Sequence, residues 1–325
     1  MMTSDDTGVV TDVAAPPARS LAWRRTKRAV IVAAATLCAL TLAAWVDEIV
    51  LDARLGTVSV ALADDGPGTT WLIVGSDAFP NPHTSPRFAG ERADVILLVH
   101  TGEPHASVIS VPRDLLISNP EGGLERAALT LDSGGPQELV DGLCSTLGVG
   151  VGHFALLTRR GFADIVDATG GVTVHLPAAV RDPSVGLEID GTGPVHLDGS
   201  DALALVRSRH PQYLRDGGWI RLREYAGARA RARNAGEVFD ALRHAASGLK
   251  WNPLRLQRVL WAVTGNVRVD DGTDLTDLVG LLHGSGRLHV LPAARLPQTI
   301  AVQATEHTRA ALVAAGYSGS CTPAG

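Results

Sequence analysis

Five charged residues stand at the ends of three short apolar runs. TTWLIVGSD (69–77) ends on Asp77. ADVILLVHT (93–101) is opened by Arg92 and Asp94, and ASVISVPRD (106–114) ends on Arg113 and Asp114. The runs are rich in Val, Ile and Leu and are bounded by Gly, Pro and Asp, which predicts strands. The short link HTGEPHA suits a hairpin between the second and third. If the first strand also runs antiparallel to the second, the end of the first, the start of the second and the end of the third fall on one edge of the sheet. Two arginines and three aspartates then converge. Singly each would be a turn residue or a rim ion pair; together they form the rim of a polar site.

The elements that would hold this edge follow along the chain. GGPQELVDGLCSTLGV has Pro136 near a helix start, with Leu139, Val140, Leu143 and Leu147 at helical spacing. HFALLTRRGFADIVDATGG reads as a strand and then a helix that stops at Gly170-Gly171. VTVHL is a strand, and DGSDALALVRSRH a helix capped between Asp198 and Ser200. Three further helices are expected in EYAGARARARNAGEVFDALRHAASGL, NPLRLQRVLWAVTGNV and DLTDLVGLLHGSG. The fold class is α/β, a mixed central β-sheet with helices on both faces.

Arg207 and Arg209 set a geometric condition. Two residues apart on a helix they point to nearly opposite sides, so both face one ligand only if the helix ends near Val206 and the chain then extends, as Pro211 favours. The arginine run from Arg221 to Arg233 reads as a solvated helix face, with Arg221 and Arg223 as exceptions. His153, His175, His196 and His210 read as structural or surface residues.

The N-terminal region predicts location. A polar, proline-bearing tail and the basic cluster Arg24, Arg25, Lys27 and Arg28 (together 1–28) precede AVIVAAATLCALTLAAWV, residues 29–46. That stretch is long enough to cross a bilayer as one helix, and the basic flank places the N-terminus in the cytoplasm. A cleaved signal peptide ending at Ala61-Leu62-Ala63 is the competing reading. Residues 47–68 then form a linker, 69–290 the main domain, and 291–325 a C-terminal strand and helix with a mobile tail. Outside the cytoplasm Cys144 and Cys321 could pair; two separate thiols are the alternative. A net charge of −5 argues against nucleic-acid binding. The cysteines and histidines lack zinc-site spacing.

Six motifs in order resemble the LytR-CpsA-Psr (LCP) proteins: GSD (75–77), the R-x-D of Arg92 to Asp94, VPRD (111–114), GGP (134–136), GFADIVDATGGVTVHLP (161–177) and HLDGSDALALVRSRH (196–210). GNVRVDDGTDLTDLVGLL (265–282) is similar to that family's C-terminal helical region, so the resemblance covers residues 69–285. It implies a membrane-anchored phosphotransferase on the outer face of the cell membrane. Such an enzyme moves a glycopolymer from a polyprenyl-pyrophosphate carrier to peptidoglycan, by attack of a sugar hydroxyl on the carrier-proximal phosphate; pyrophosphate hydrolysis would be a side reaction.

The resemblance also implies site roles. Asp77 and Asp94 would hold Mg2+, which needs few protein carboxylates because phosphate oxygens and water complete its shell. Arg92, Arg113, Arg207 and Arg209 would clamp the phosphates through their planar forks. Arg126 supplies a cation where many relatives carry lysine. The family's arginine- and glutamine-bearing D-x-G-R-x-x-R-Q-Q pattern is replaced by DGGWIRLREYA (216–226), with Trp219 and Leu222 at the arginine positions; Arg221 and Arg223 would substitute by a register change. Without them, the chain would be a binding-only scaffold or regulator of envelope assembly. The helices around Val238, Phe239, Leu242 and 251–261 would line a lipid tunnel or form plain core.

Overall fold

Successive residues of a strand face opposite sides of its sheet, so a run such as TWLIV, apolar at every position, requires cover on both faces. The computed structural model, which describes residues 19–62, 68–77, 90–102, 106–283, 287–317 and 321, has that arrangement. The expected tail at 1–18, Ala63 and most of the C-terminal tail lie outside the described residues. The chain forms two compact units, Met1–Val50 and Leu51–Gly325. Helix α1 (Arg19–Arg54) contains the stretch 29–46, in which Val30, Ile31, Val32, Leu37 and Leu42 are exposed. Among the described residues no helix is long and apolar enough to cross a membrane.

The second unit is built on seven strands: β1 (Gly56–Val58), β2 (Thr70–Ser76), β3 (Ala93–His100), β4 (Ser107–Ser110), β5 (His153–Thr158), β6 (Val267–Asp270) and β7 (Arg287–Val290). Their order is β1-β6-β5-β2-β3-β4-β7. The β2–β3, β3–β4 and β5–β6 pairs are antiparallel, and the β1–β6, β2–β5 and β4–β7 pairs are parallel. The sheet is mixed, and the two hairpin-like pairings at its centre put the three charged strand ends on one edge, as the alternation argument requires.

Trp71 and Ile73 face one side, with Ile165 of α3 (Arg159–Ala168) and Leu278 and Leu281 of α7 (Leu275–His283). Leu72 and Val74 face the other, with Leu139 and Leu143 of α2 (Gly135–Leu147). Between these elements lie α4 (Gly199–Arg207), capped by the Asp198 side chain, α5 (Glu224–Ser247) and α6 (Pro253–Asn266), capped by Asn252. Each cap satisfies a backbone N–H that the first helical turn leaves without a partner.

Three segments differ from the sequence expectation. The stretch read as a linker contributes β1 and the buried Leu51. α6 ends at Asn266, one residue before the expected helix end, and Val267–Asp270 forms an inner strand that was not expected. The long helix starts at Glu224 as expected, but DGGWIR before it belongs to an unforeseen β-hairpin: Gln212–Arg215 pairs with Gly218–Arg221, and Asp216 (φ 51°) and Gly217 (φ 77°) form the two-residue turn. Two successive positive φ values match the twist of a tight hairpin, which explains Asp-Gly there.

The C-terminal residues are not a loose appendage. β7 joins the sheet edge beside β4, and Val302 N–H donates to the Asp114 carbonyl at 2.9 Å. After α8 (Glu306–Ala314), the buried Tyr317 hydroxyl donates to the Leu98 carbonyl at 2.8 Å. Cys321 is disulfide-bonded to Cys144 of α2, with Cα atoms 5.7 Å apart, so the pairing left open by the sequence is formed. The bond closes a loop with a sequence separation of 177, and such long closures restrict the unfolded chain strongly. Reduction, or Cys144→Ser, is expected to lower unfolding free energy by about 2–5 kcal/mol, read as a shifted urea midpoint with and without reductant.

Candidate active site

Asp94 is the hub of the charged edge. It follows the first residue of β3, and its Oδ1 accepts from Arg113 Nη1 and lies 3.5 Å from Arg209 Nη2. Arg113 leaves β4 through Pro112, and its side chain is 9% exposed. Arg113 Nε is buried with no hydrogen bond and is 3.9 Å from Asp114 Oδ1, which Arg126 Nη1 approaches to 3.4 Å. Asp77 and Arg92 face each other across the end of the β2–β3 pair. Asp77 N–H donates to the Arg92 carbonyl at 3.0 Å, and Arg92 N–H donates to Asp77 Oδ1 at 2.7 Å. The Arg92 side chain is exposed. Arg159, the first residue of α3 just past β5, donates to the Asp77 carbonyl.

Arg207 and Arg209 meet the geometric condition set by the sequence. α4 ends at Arg207, and Ser208 (φ −59°, ψ 119°) turns the chain out of the helix. Burial, then the neighbouring Arg159, pulls the Arg207 pKa below its ordinary value, with Asp94 and Asp77 opposing. The segment carrying Arg209 is fixed from two sides. Buried Asp182 accepts from Ser208 Oγ at 2.7 Å and from His210 N–H at 2.9 Å, the residues flanking Arg209. On the other side, Gly227 of α5 comes so close that a Cβ there would overlap the Arg209 carbonyl oxygen.

Two cavities meet at this edge, sharing Asp94, Val95 and Ala235. The first, about 330 Å³, holds Arg113, Arg209, Arg229, Arg231 and Arg295 against Asp94 and Asp114, and is closed on its far side by residues of 290–302. Five arginines against two aspartates leave an excess of positive charge. The second, about 400 Å³, runs between the sheet and the helices and is lined by Ile73, Leu97, Phe239, Leu242, Val259 and Leu260, with Arg159 and Arg207 at its charged side. Of the proposed tunnel residues, Phe239, Leu242, Leu256, Val259 and Leu260 line it. Val238 is fully buried in a neighbouring core, and Trp251, Leu254 and Trp261 are exposed.

The structure therefore gathers Asp94, Arg113, Arg207 and Arg209, and sets Asp77, Arg92 and Arg126 beside them. Arg221 and Arg223 depart from expectation. They lie exposed on the hairpin and at the start of α5 and line neither cavity. The cations α5 contributes are Arg229 and Arg231, from the run read as a solvated face. Arg231 is 8% exposed and makes no ion pair or side-chain hydrogen bond among the described residues. Burial and then the neighbouring Arg113 and Arg209 pull its pKa down to about 10. Its spacing was the available signal: Arg231, Ala235, Val238 and Leu242 form one helical stripe, so an arginine stands on the apolar face.

The site also bears on the expected metal. Asp77 and Asp94 each spend Oδ1 on protein donors, and among the described residues no cluster of three or more His, Cys, Asp or Glu could hold a metal. Two carboxylates fit Mg2+, which keeps waters and takes phosphate oxygens, and do not fit an all-protein cage.

Comparison with known proteins agrees with this geometry. The model of the LytR_cpsA_psr family matches residues 50–224. The structure of a LytR-Csp2A-Psr enzyme from Actinomyces oris superposes with a TM-score of 0.71 at 35% identity, covering 83% of this chain and 99% of that one. The chain belongs to the LytR-CpsA-Psr family. The cell wall biosynthesis protein LcpA of Corynebacterium glutamicum is 29% identical over 281 residues, 73% of this chain and 52% of that protein. The Bacillus subtilis polyisoprenyl-teichoic acid–peptidoglycan teichoic acid transferase TagU is 30% identical over 122 residues, 36% of this chain and 39% of that protein. The chain thus spans about half the length of these curated relatives or less.

Burial pushes the Asp182 carboxyl up, but hydrogen bonds from Ser184, Ser208 and the His210 N–H outweigh it and hold its pKa below the ordinary carboxylate range. A carboxylate whose folded pKa is depressed contributes stability above its unfolded pKa of about 3.9, and that stability is lost as pH falls through the folded value. Asp182→Asn is expected to reduce stability at neutral pH and to flatten the acid limb of a Tm-against-pH curve below about pH 4.

Proposed function

We propose that the chain transfers a glycopolymer from a polyprenyl-pyrophosphate carrier to peptidoglycan, at the outer face of a membrane in which residues 29–46 anchor it. The observation that carries this reading is Arg231, a buried arginine that makes no ion pair among the described residues and faces a cavity already rich in arginine. A buried unpaired cation is costly, and a pyrophosphate removes that cost. The apolar cavity that shares Asp94 suits the hydrocarbon end of the same ligand. The relatives' printed names and the apolar stretch with its basic flank agree with the reading.

In this reading Arg113, Arg209 and Arg231 grip the pyrophosphate, and Arg159 and Arg207 stand where its head meets the lipid. Asp94 orients Arg113 and Arg209, so their forks are set before substrate arrives. Release of polyprenyl phosphate requires the acceptor hydroxyl to attack the glycopolymer-bearing phosphorus, not the carrier-proximal one. The new O–P bond forms there, the bond from that phosphorus to the bridging oxygen breaks, and the hydroxyl proton leaves to solvent or base. Mg2+, held by Asp77 and Asp94, would neutralise charge on the phosphate oxygens.

The binding-only reading drew on DGGWIRLREYA, and that hairpin lines neither cavity. The altered segment therefore leaves the cation cluster intact. Full-length protein given a polyprenyl-pyrophosphate substrate and Mg2+ is expected to release polyprenyl phosphate. Arg209→Ala and Asp94→Ala should each lower the rate by about 100-fold or more. Substrate binding without turnover above the variants would instead favour the scaffold.

A further inference from the structure

The helix that walls the apolar cavity has a second face. α6 turns Leu256, Val259, Leu260 and Val263 toward the cavity. The 3.6-residue period puts Leu254, Arg258 and Trp261 on the opposite side. There Leu254 is 77% exposed and Trp261 48%, and Trp251, in the 3-10 turn that leads into the helix, is 84% exposed. Arg255 and Arg258 are exposed among them. Large apolar side chains grouped on a surface mark an interaction site.

Two observations identify the partner. Tryptophan and leucine interleaved with arginine are the residue types of an element lying in a membrane interface, where indole rings sit at headgroup level and arginines meet anionic headgroups. The chain path points the same way: Arg54, the last residue of α1, lies over the Trp261 ring, 3.7 Å from its centroid. Leu51 to Arg54 belong to the second unit, so the chain enters that unit at this face, downstream of the apolar stretch 29–46. A second copy fits less well, because a self-complementary contact would collect Arg255 and Arg258 of both copies in one interface.

We propose that the Trp251, Leu254 and Trp261 face docks on an anionic lipid bilayer surface, so that the wall of the apolar cavity is the element that touches the membrane. The proposal rests on the membrane anchoring of 29–46. It adds a route: the lipid carrier reaches the cavity from the bilayer beside α6 and not through water.

The test uses the full chain in a Cys38→Ser background, with the Cys144–Cys321 bond left oxidised. A nitrobenzoxadiazole label is placed through Leu254→Cys or, outside this face, through Leu124→Cys, a position 65% exposed. Each protein is reconstituted in phosphatidylglycerol–phosphatidylcholine vesicles with brominated acyl chains. Several-fold stronger quenching at 254 than at 124, with a blue-shifted emission, is expected. A chain that floats with the vesicles while its label at 254 is no more quenched than that at 124 overturns the docking and leaves the anchor standing. A chain that does not float overturns the anchor and the docking with it. Shielding at 254 that needs no bromine and rises with protein concentration assigns the face to a second copy and also overturns the docking.

Discussion

The site depends on a shortage of negative charge around Asp94. Arg113 and Arg209 both converge on one carboxylate oxygen, while Arg231, buried in the lining of the same cavity, makes no ion pair among the described residues. Like charges held this close in a partly dry cavity disfavour one another, which is why burial and the two neighbouring arginines act together on Arg231. A fold optimised only for stability would place an apolar residue on that stripe of α5. An arginine there costs stability, a cost that the anion of the proposed substrate would offset.

The rest of the architecture supplies the means to hold that arrangement. The central antiparallel strands put the ends of β2, β3 and β4 on one edge, and β5, parallel to β2, brings Arg159 to the same edge. The early end of α4 lets Arg207 and Arg209 serve adjoining cavities, with Asp182 and Gly227 fixing the segment between them. The far wall of the polar cavity comes from the C-terminal residues, which β7, the Val302 hydrogen bond and the disulfide hold against the sheet. A charged cavity and an apolar one thus share a boundary at Asp94, Val95 and Ala235, a pairing that matches a pyrophosphate bearing a hydrocarbon chain.

Much of this edge was legible in the sequence because it is local. Period-two apolar runs ending on charge, a short link, and a proline two residues past Arg209 each carry their geometry with them. What escaped depended on distant partners. β1 and β6 are short; residues 56–58 read as linker and 268–270 as neither strand nor helix, because pairing with each other and, for β6, with β5 is what makes them strands. The hairpin over 212–221 was not foreseen, although Asp-Gly between β-prone residues is a hairpin signal; the helix that follows starts at Glu224 as expected. Arg231 was hidden by its exposed neighbours Arg229 and Arg233, since charge runs are usually solvated; the stripe it shares with Ala235 and Val238 says otherwise. Cys321 carried no sign of its partner, because disulfide pairing is a property of the folded distance.

The central claim is that Arg231 is kept for an anion at the expense of the fold, and one variant separates the two effects. Thermal unfolding of Arg231→Met, measured with and without a soluble prenyl pyrophosphate, reports both in one experiment. The account predicts a higher Tm for the unliganded variant than for the parent, and loss of most of the ligand-induced rise that the parent shows. A lower Tm for the unliganded variant, together with an undiminished rise on adding ligand, would contradict it and make Arg231 a structural residue.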